Sequence, residues 1–362
     1  MKRLSLIALG VSLATLPLAA QSVELAGKKL ELYGKAHLSL DYSDPDAAGE
    51  DSQFSVSNNS TRIGFKGEHD ISEALTLLWQ YEQGVDIDDG GGEFAKRNSF
   101  LGIKGRLGEL RAGHHDTPSK SMGSRWGLFS DTNGDRRAIL GAYSGSDPDP
   151  EIKYGNVLND RADNAVLYLN DFSGLALQVM YSASNPSDDV SGGLDDNDSD
   201  LFSASLAYTT GPLTLLGAVE TWSQDPVNGT EGVDNLRLGA IYTMERLRLG
   251  AIFESTDSDD DVYNRDAFGV NAAFGLSDAM DLRAQYLMAD DYKGVSDSGA
   301  SQLALGLFNQ LDSATQIYAV FSMTDNDDNA KYQGIDGGHG DELETELGGT
   351  PSSLSVGAVY KF

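Results

Sequence analysis

The chain has no cysteine in its 362 residues. That removes disulfide scaffolds, cysteine-ligated zinc sites and thiol nucleophiles. Proline is scarce, at 9 residues, and basic side chains are outnumbered, 26 against 56 acidic ones, for a net charge of −30. An acidic surplus argues against a nucleic-acid binder, which meets phosphate with a basic surface. The mean hydropathy is negative, which argues against a bundle of transmembrane helices. Taken alone, these absences suit a soluble acidic globular protein.

The first 22 residues change the compartment. Lys2 and Arg3 form a basic head, Leu4 to Leu16 an apolar core, and Ala20-Gln21-Ser22 a small-x-small cleavage site. This is the layout of a secretory signal peptide, and the apolar run is too short to span a bilayer. The mature chain is expected to run from Val23 to Phe362, with 24 bases, 56 acids and a charge of −32 once Lys2 and Arg3 are removed. An exported protein without disulfides needs a large network of other bonds. A large soluble domain or a closed β-barrel supplies one.

No helical period persists after Val23. Segments of about ten residues alternate apolar with polar or small, the signature of strands with two different faces. Leu30, Leu32, Ala36, Leu38, Leu40 and Tyr42 fall on one face; Glu31, Lys35, His37, Ser39 and Asp41 fall on the other. Leu236, Leu238, Ala240 and Tyr242 oppose Asn235, Arg237 and Gly239, and Leu282, Ala284 and Tyr286 oppose Asp281, Arg283 and Gln285. Sixteen such segments are predicted, at 29–42, 59–68, 74–86, 96–105, 108–114, 161–170, 175–184, 200–209, 213–223, 234–244, 246–255, 266–275, 280–290, 300–310, 314–324 and 353–362. Tight turns alternate with long acidic loops, the longest at 115–160 and the last at 325–352. Strand-end aromatics (Tyr42, Trp79, Tyr81, Tyr181, Tyr208, Trp222, Tyr242, Tyr286 and Phe362) suit the girdles of a membrane interface. A soluble sheet of this size needs a second apolar layer to cover it. A bilayer supplies that layer but no water for free sheet edges, so the sheet must close. The fold class predicted is all-β, an antiparallel up-and-down transmembrane barrel of about 16 strands, wide enough for an aqueous lumen.

Several local motifs, in order, resemble the general porins of Gram-negative outer membranes, the sixteen-stranded trimeric kind. They are Leu32-Tyr33-Gly34-Lys35, Asn59-Ser60-Thr61-Arg62-Ile63-Gly64-Phe65-Lys66-Gly67, Arg97-Asn98-Ser99-Phe100-Leu101-Gly102, Leu107-Gly108-Glu109-Leu110-Arg111-Ala112-Gly113 and the terminal Val359-Tyr360-Lys361-Phe362. The resemblance covers the mature chain in layout and is sharpest over 30–118 and at the C-terminus.

The resemblance implies one barrel domain, 23–362, whose third loop, 115–150, folds inward and narrows the pore. It implies bases on the wall (Lys35, Arg62, Arg97 and Arg161) facing acids on the loop (Asp131 and Asp135) across a wet gap. Arg125, Arg136 and Arg137 add loop bases that work against that acidic side. His114-His115 stands where the family often carries an arginine, before Thr117-Pro118. Tyr360 and Phe362 match the C-terminal signal read by the barrel-assembly machinery. Outer-membrane lipid, lipopolysaccharide and two further copies of the chain are the other implied partners.

Other motifs carry less. The clusters Asp195-Asp196-Asp198-Asp200, Asp257-Asp259-Asp260-Asp261 and Asp325-Asp327-Asp328 resemble calcium loops in spacing but lack the glycine and the distant glutamate of one. Solvated loop acid is the simpler reading. Gly90-Gly91-Gly92 precedes no helix that could hold a phosphate, and His114-His115 points apart on a strand, which disfavours a metal site. No spacing assembles a Ser/His/Asp triad, and neither metal nor cofactor is called for. The expected function is passive diffusion of small hydrophilic solutes and ions, with a mild cation preference inferred from the acidic loops. A channel for one particular solute class is the alternative; an adhesin and a soluble acidic β-protein are the readings outside transport.

Overall fold

The computed structural model describes residues 23–25, 30–88, 97–142, 157–183, 200–224, 231–258, 264–335 and 337–362. The signal segment 1–22, the glycines 90–92, the acids 195–198 and 259–261 and the far part of the third loop, 143–156, lie outside them.

The strands are β1 (Val23–Leu25), β2 (Leu30–Asp44), β3 (Gln53–Asn58), β4 (Arg62–Ser72), β5 (Leu75–Gly84), β6 (Ser99–Gly105), β7 (Gly108–Asp116), β8 (Arg161–Asp171) and β9 (Leu175–Ser182). They continue with β10 (Leu201–Thr210), β11 (Leu213–Gln224), β12 (Glu231–Met244), β13 (Leu247–Ser258), β14 (Arg265–Gly275), β15 (Met280–Ala289), β16 (Ala300–Gln310), β17 (Thr315–Asn326) and β18 (Ser352–Lys361). Each pairs antiparallel with its sequence neighbours, β3 and β4 lie end to end along β2, and β18 pairs back onto β2 from Ser352↔Asp44 to Lys361↔Lys35. The result is a closed antiparallel barrel of 16 staves, the predicted fold. At the seam, the Gly34 and Phe362 backbones exchange both N–H···O bonds, at 2.9 and 3.1 Å. β1 then pairs with β2 just beyond, Val23 opposite Leu32.

All sixteen predicted segments have a counterpart, most with ends shifted by a few residues and one with a larger change. The second stave begins at Gln53, inside what reads as a loop, and breaks at 59–61, where Ser60 adopts a φ of +54°. The break turns the Asn59 carbonyl toward the barrel interior, where it accepts from Lys35 Nζ at 2.9 Å. Phe54 and Val56 do alternate with polar neighbours, but two apolar residues are too few to mark a strand inside an otherwise polar stretch.

Alternation sorts the two faces. Leu40, Leu101, Leu206, Leu238, Val270 and Leu305 are exposed on the outer face, as is Phe54 at 81%. Their neighbours Ser39, Ser205, Arg237, Asn271 and Ala304 are buried on the inner face. Tyr42, Tyr181, Tyr208, Tyr242 and Tyr286 stand outward as expected. Trp222 does not: it points inward at 1% exposure, two residues from Glu220 on the same face, and its indole N–H donates to that carboxylate at 3.1 Å. Leu158 and Leu201 cover it, so a polar partner and an internal apolar cluster outcompete the interface for this ring. An outward Leu238→Arg substitution is expected to cost about 2–4 kcal/mol if Leu238 lies at the bilayer midplane. Denaturant titration of the refolded barrel in lipid would measure it.

Candidate functional site

Between β7 and β8 the chain turns into the barrel. Thr117 caps the start of α1 (Pro118–Trp126) by accepting from the Lys120 N–H at 3.2 Å, and Pro118 fills the first helical turn, where no N–H is needed. Asp131, at φ +59°, and the 3₁₀ turn Arg136–Ala138 carry the segment onward. Trp126 and Phe129 are its apolar anchors. The wall meets them with glycine: a Cβ at Gly250 or Gly269 would stand 2.9 or 3.0 Å from the Trp126 indole, and one at Gly306 would stand 2.9 Å from Phe129. These inward glycines set how closely loop and wall approach.

A loop packed inside a barrel must still satisfy its backbone. Here the wall side chains do so. Arg248 donates to the Trp126 carbonyl at 2.8 Å, joined there by Asn271 at 3.0 Å. Arg283 donates to Leu128 O at 2.8 Å, and Gln285 to Gly134 O at 2.9 Å. Arg265 reaches Ile139 O at 2.8 Å and Ala142 O at 2.6 Å. In return, Asn133 on the loop donates to Val320 O and Ser353 O, at 3.2 and 3.0 Å. Glu254 joins the two sets: it takes the Gly141 N–H at 2.7 Å and pairs with Arg237 at 2.6 Å, both side chains being 1% exposed. Arg237 continues to Ser119 Oγ and Asn159 Oδ1, at 3.1 and 3.2 Å.

The tip of the loop meets the opposite wall in a charged cluster containing every wall base and loop acid predicted. Lys35 Nζ donates to Asp131 Oδ2 at 2.7 Å. The expected wet gap between these two is therefore closed by direct contact, because the break at Asn59–Thr61 and the left-handed turn at Asp131 bring wall and loop together. Arg137 holds Asp131 at 3.1 Å and Asp135 at 2.9 Å, while the Asp131 N–H donates to Asp135 at 2.8 Å. Burial alone would push the Asp131 carboxyl up. The Lys35 and Arg137 charges overcome it and hold Asp131 well below the usual carboxylate range. On the wall, Arg62 and Arg97 share Glu82 at 3.7 and 2.7 Å, and the Tyr33 hydroxyl donates to the same carboxylate at 3.0 Å. Arg161 and Lys120 share Asp116, at 3.2 and 3.1 Å.

Glu82, Asp116 and Lys120 were not assigned to the charged rim from the sequence, nor were Arg265 and Glu254. Strand parity already put Arg237 and Arg283 on the polar face, but parity does not say that Arg237 meets Glu254 and Ser119 or that Arg283 meets a loop carbonyl. In total, seven bases of this cluster (Lys35, Arg62, Arg97, Lys120, Arg136, Arg137 and Arg161) meet four acids (Glu82, Asp116, Asp131 and Asp135). Among the described residues these ion-paired groups carry a positive surplus of three, inside a chain of charge −30.

A closed barrel with an apolar belt, a polar interior and an inward loop fixed to its wall is a channel-forming outer-membrane architecture. The chain belongs to the Gram-negative porin family: the family model so described matches residues 5–329. Outer membrane porin protein 32 of Delftia acidovorans is 26% identical over 335 residues, 90% of each chain. Major outer membrane protein P.IB of Neisseria gonorrhoeae is 31% identical over 120 residues, 33% of this chain and 34% of that one. Among solved structures, an anion-selective porin from Comamonas acidovorans superposes with a TM-score of 0.75 at 23% identity, over 92% of this chain and 99% of that one. OmpT of Vibrio cholerae, in its trimer form, gives 0.67 at 18% identity, over 92% and 99%. The fold and the outer-membrane location are those predicted, and the relatives are porins, channels rather than enzymes.

Glu254→Gln is expected to leave Arg237 and Arg265 without their shared counter-charge and to cost about 3–5 kcal/mol. A lower urea midpoint in detergent, relative to the parent protein, would measure it.

Proposed function

We propose that this chain, exported by a cleaved segment at 1–22, assembles as a homotrimer whose barrels let small hydrophilic solutes and ions diffuse passively. Loop 115–150 is the constriction, and Lys35, Arg62, Arg97, Arg161, Asp131 and Asp135 are its charged rim. The observation that carries the reading is the described part of that loop, 117–142, bonded to the inward wall by its carbonyls next to this charge cluster. Lipopolysaccharide is the proposed outer-leaflet partner of the acidic loops. Tyr360 and Phe362 are proposed as the signal read by the barrel-assembly machinery; their rings stack at 6.0 Å on the outer face. Deleting Phe362 should lower the yield of folded, heat-modifiable barrel in cells, scored by electrophoretic mobility.

The sign of selectivity follows from where the charge sits. Loop acid at the mouth favours cations, but it is spread over a wide rim and screened within a Debye length of about 10 Å at 0.1 M salt. The charge nearest the permeating ion counts most, and there the bases exceed the acids. We therefore favour a weak anion preference over the cation preference read from composition. The reversal potential in a salt gradient across a planar bilayer tests it: the anion-selective sign is expected at low salt, and the cation-selective sign would sink the reading. Burial pushes the Lys120 ammonium down to about 8, with Asp116 opposing. Raising the pH from 7 to 9 should remove that charge and move the reversal potential toward the cation side.

A further inference from the structure

The last loop, between β17 and β18, also folds inward. Among its described residues Tyr332, Ile335 and Leu343 are buried, and Ile335 bridges Leu343. Gly337-Gly338-His339-Gly340-Asp341 lies against β2, the break in the second stave and the tip of loop 117–142. Ser60 Oγ donates to Gly338 O at 3.0 Å, the Gly340 N–H to Asn59 Oδ1 at 3.1 Å, and Ser57 Oγ to Asp341 Oδ2 at 2.9 Å. The His339 ring is enclosed, its Nε2 3.2 Å from Asp41 Oδ2. A Cβ at Gly338 would collide with the Asp131 carboxylate, and one at Gly340 with the Asn58 backbone. The glycines are what allow the segment to lie so close to the charge cluster. Asp41 sits six residues beyond Lys35 on β2, roughly 20 Å along the strand toward the end bearing the long loops.

We propose that residues 337–341 form a second bar across the channel, outward of the loop 117–142 contact, and that His339, through Asp41, is the positioning residue that holds it there. The proposal rests on the channel reading above and adds a second element that sets the size of passing solutes. It also explains why Arg137 and Asp131 stand at a meeting of two loops instead of an open rim. Solutes entering from the long-loop end would meet the bar first and the seven-base cluster second.

The absence of cysteine makes the test direct. In the full chain, Ser57→Cys with Asp341→Cys places the only two thiols where the bar meets β3. Single-channel conductance in planar bilayers and size cutoff by liposome swelling are read before and after oxidation. Oxidation should leave conductance unchanged, since the bar is already in place. His339→Ala should raise conductance by about 1.5-fold or more and admit larger solutes; oxidation of the cysteine pair in that background should restore the parent values. His339→Gln, which keeps a donor near Asp41, should behave as the parent and controls for folding. A fall in conductance on oxidation of the otherwise unchanged chain would place the loop normally outside and overturn the proposal, as would a His339→Ala channel indistinguishable from the parent. Failure of the parent protein to form any channel would instead overturn the porin reading.

Discussion

A loop inside a barrel has no sheet to pair with, and its backbone carbonyls still need donors. The wall supplies them as guanidinium and amide groups: Arg248 and Asn271 on Trp126, Arg283 on Leu128, Gln285 on Gly134, Arg265 on Ile139 and Ala142. Guanidinium is well suited to this. It offers several N–H donors in a rigid fork, so one Arg265 holds two carbonyls and still lies 3.6 Å from Glu254. Charge-assisted bonds of this kind are stronger than neutral ones. The position of the loop tip, and with it the geometry of the charge cluster, depends on them.

The contact between Lys35 and Asp131 changes the electrostatic picture. Separated charges across water would give a transverse field through the lumen. Charges in contact give a short dipole that decays quickly, and the net surplus of the surrounding bases then matters more than any one pair. Arg62 and Arg97 illustrate it, because two cations share Glu82. Arg161 and Lys120 repeat the arrangement on Asp116. At each shared carboxylate two cations meet one anion.

Much of the barrel was legible in the sequence because the bilayer imposes a period of two on every stave. The parity of Leu236, Arg237 and Leu238 is enough to say which faces lipid. Two things escaped that logic. The segment Gln53 to Ser57 alternates over only two apolar residues, Phe54 and Val56, and Asn58 to Ser60 are all polar, so the extension of the second stave to Gln53 and its break were hidden. Inward-facing side chains have no periodic partner at all: Arg237 finds Glu254 on the next strand, Ser119 on α1 and Asn159 beyond it. Lys35, Arg62, Arg97, Arg161, Asp131 and Asp135 came from family motifs rather than from pattern. The structure brings all six together but adds Glu82 and Asp116, which decide how much of their charge is left over.

The composition holds two populations of charge. Outer loops can carry acid freely, since water and counter-ions screen it there. The interior must give each buried acid its donors: arginine or lysine at Glu254, Glu82 and Asp131, and a hydroxyl and an indole at Glu220. Bases have a second use inside: their donors can also end on loop carbonyls, as those of Arg248 do with no ion-paired carboxylate among the described residues. An interior that must hold a folded loop therefore recruits more bases than acids. A chain with a charge of −30 thus gathers a positive surplus around its inward loop, and under the proposed anion preference the requirement that fixes the loop would also bias which ions pass it.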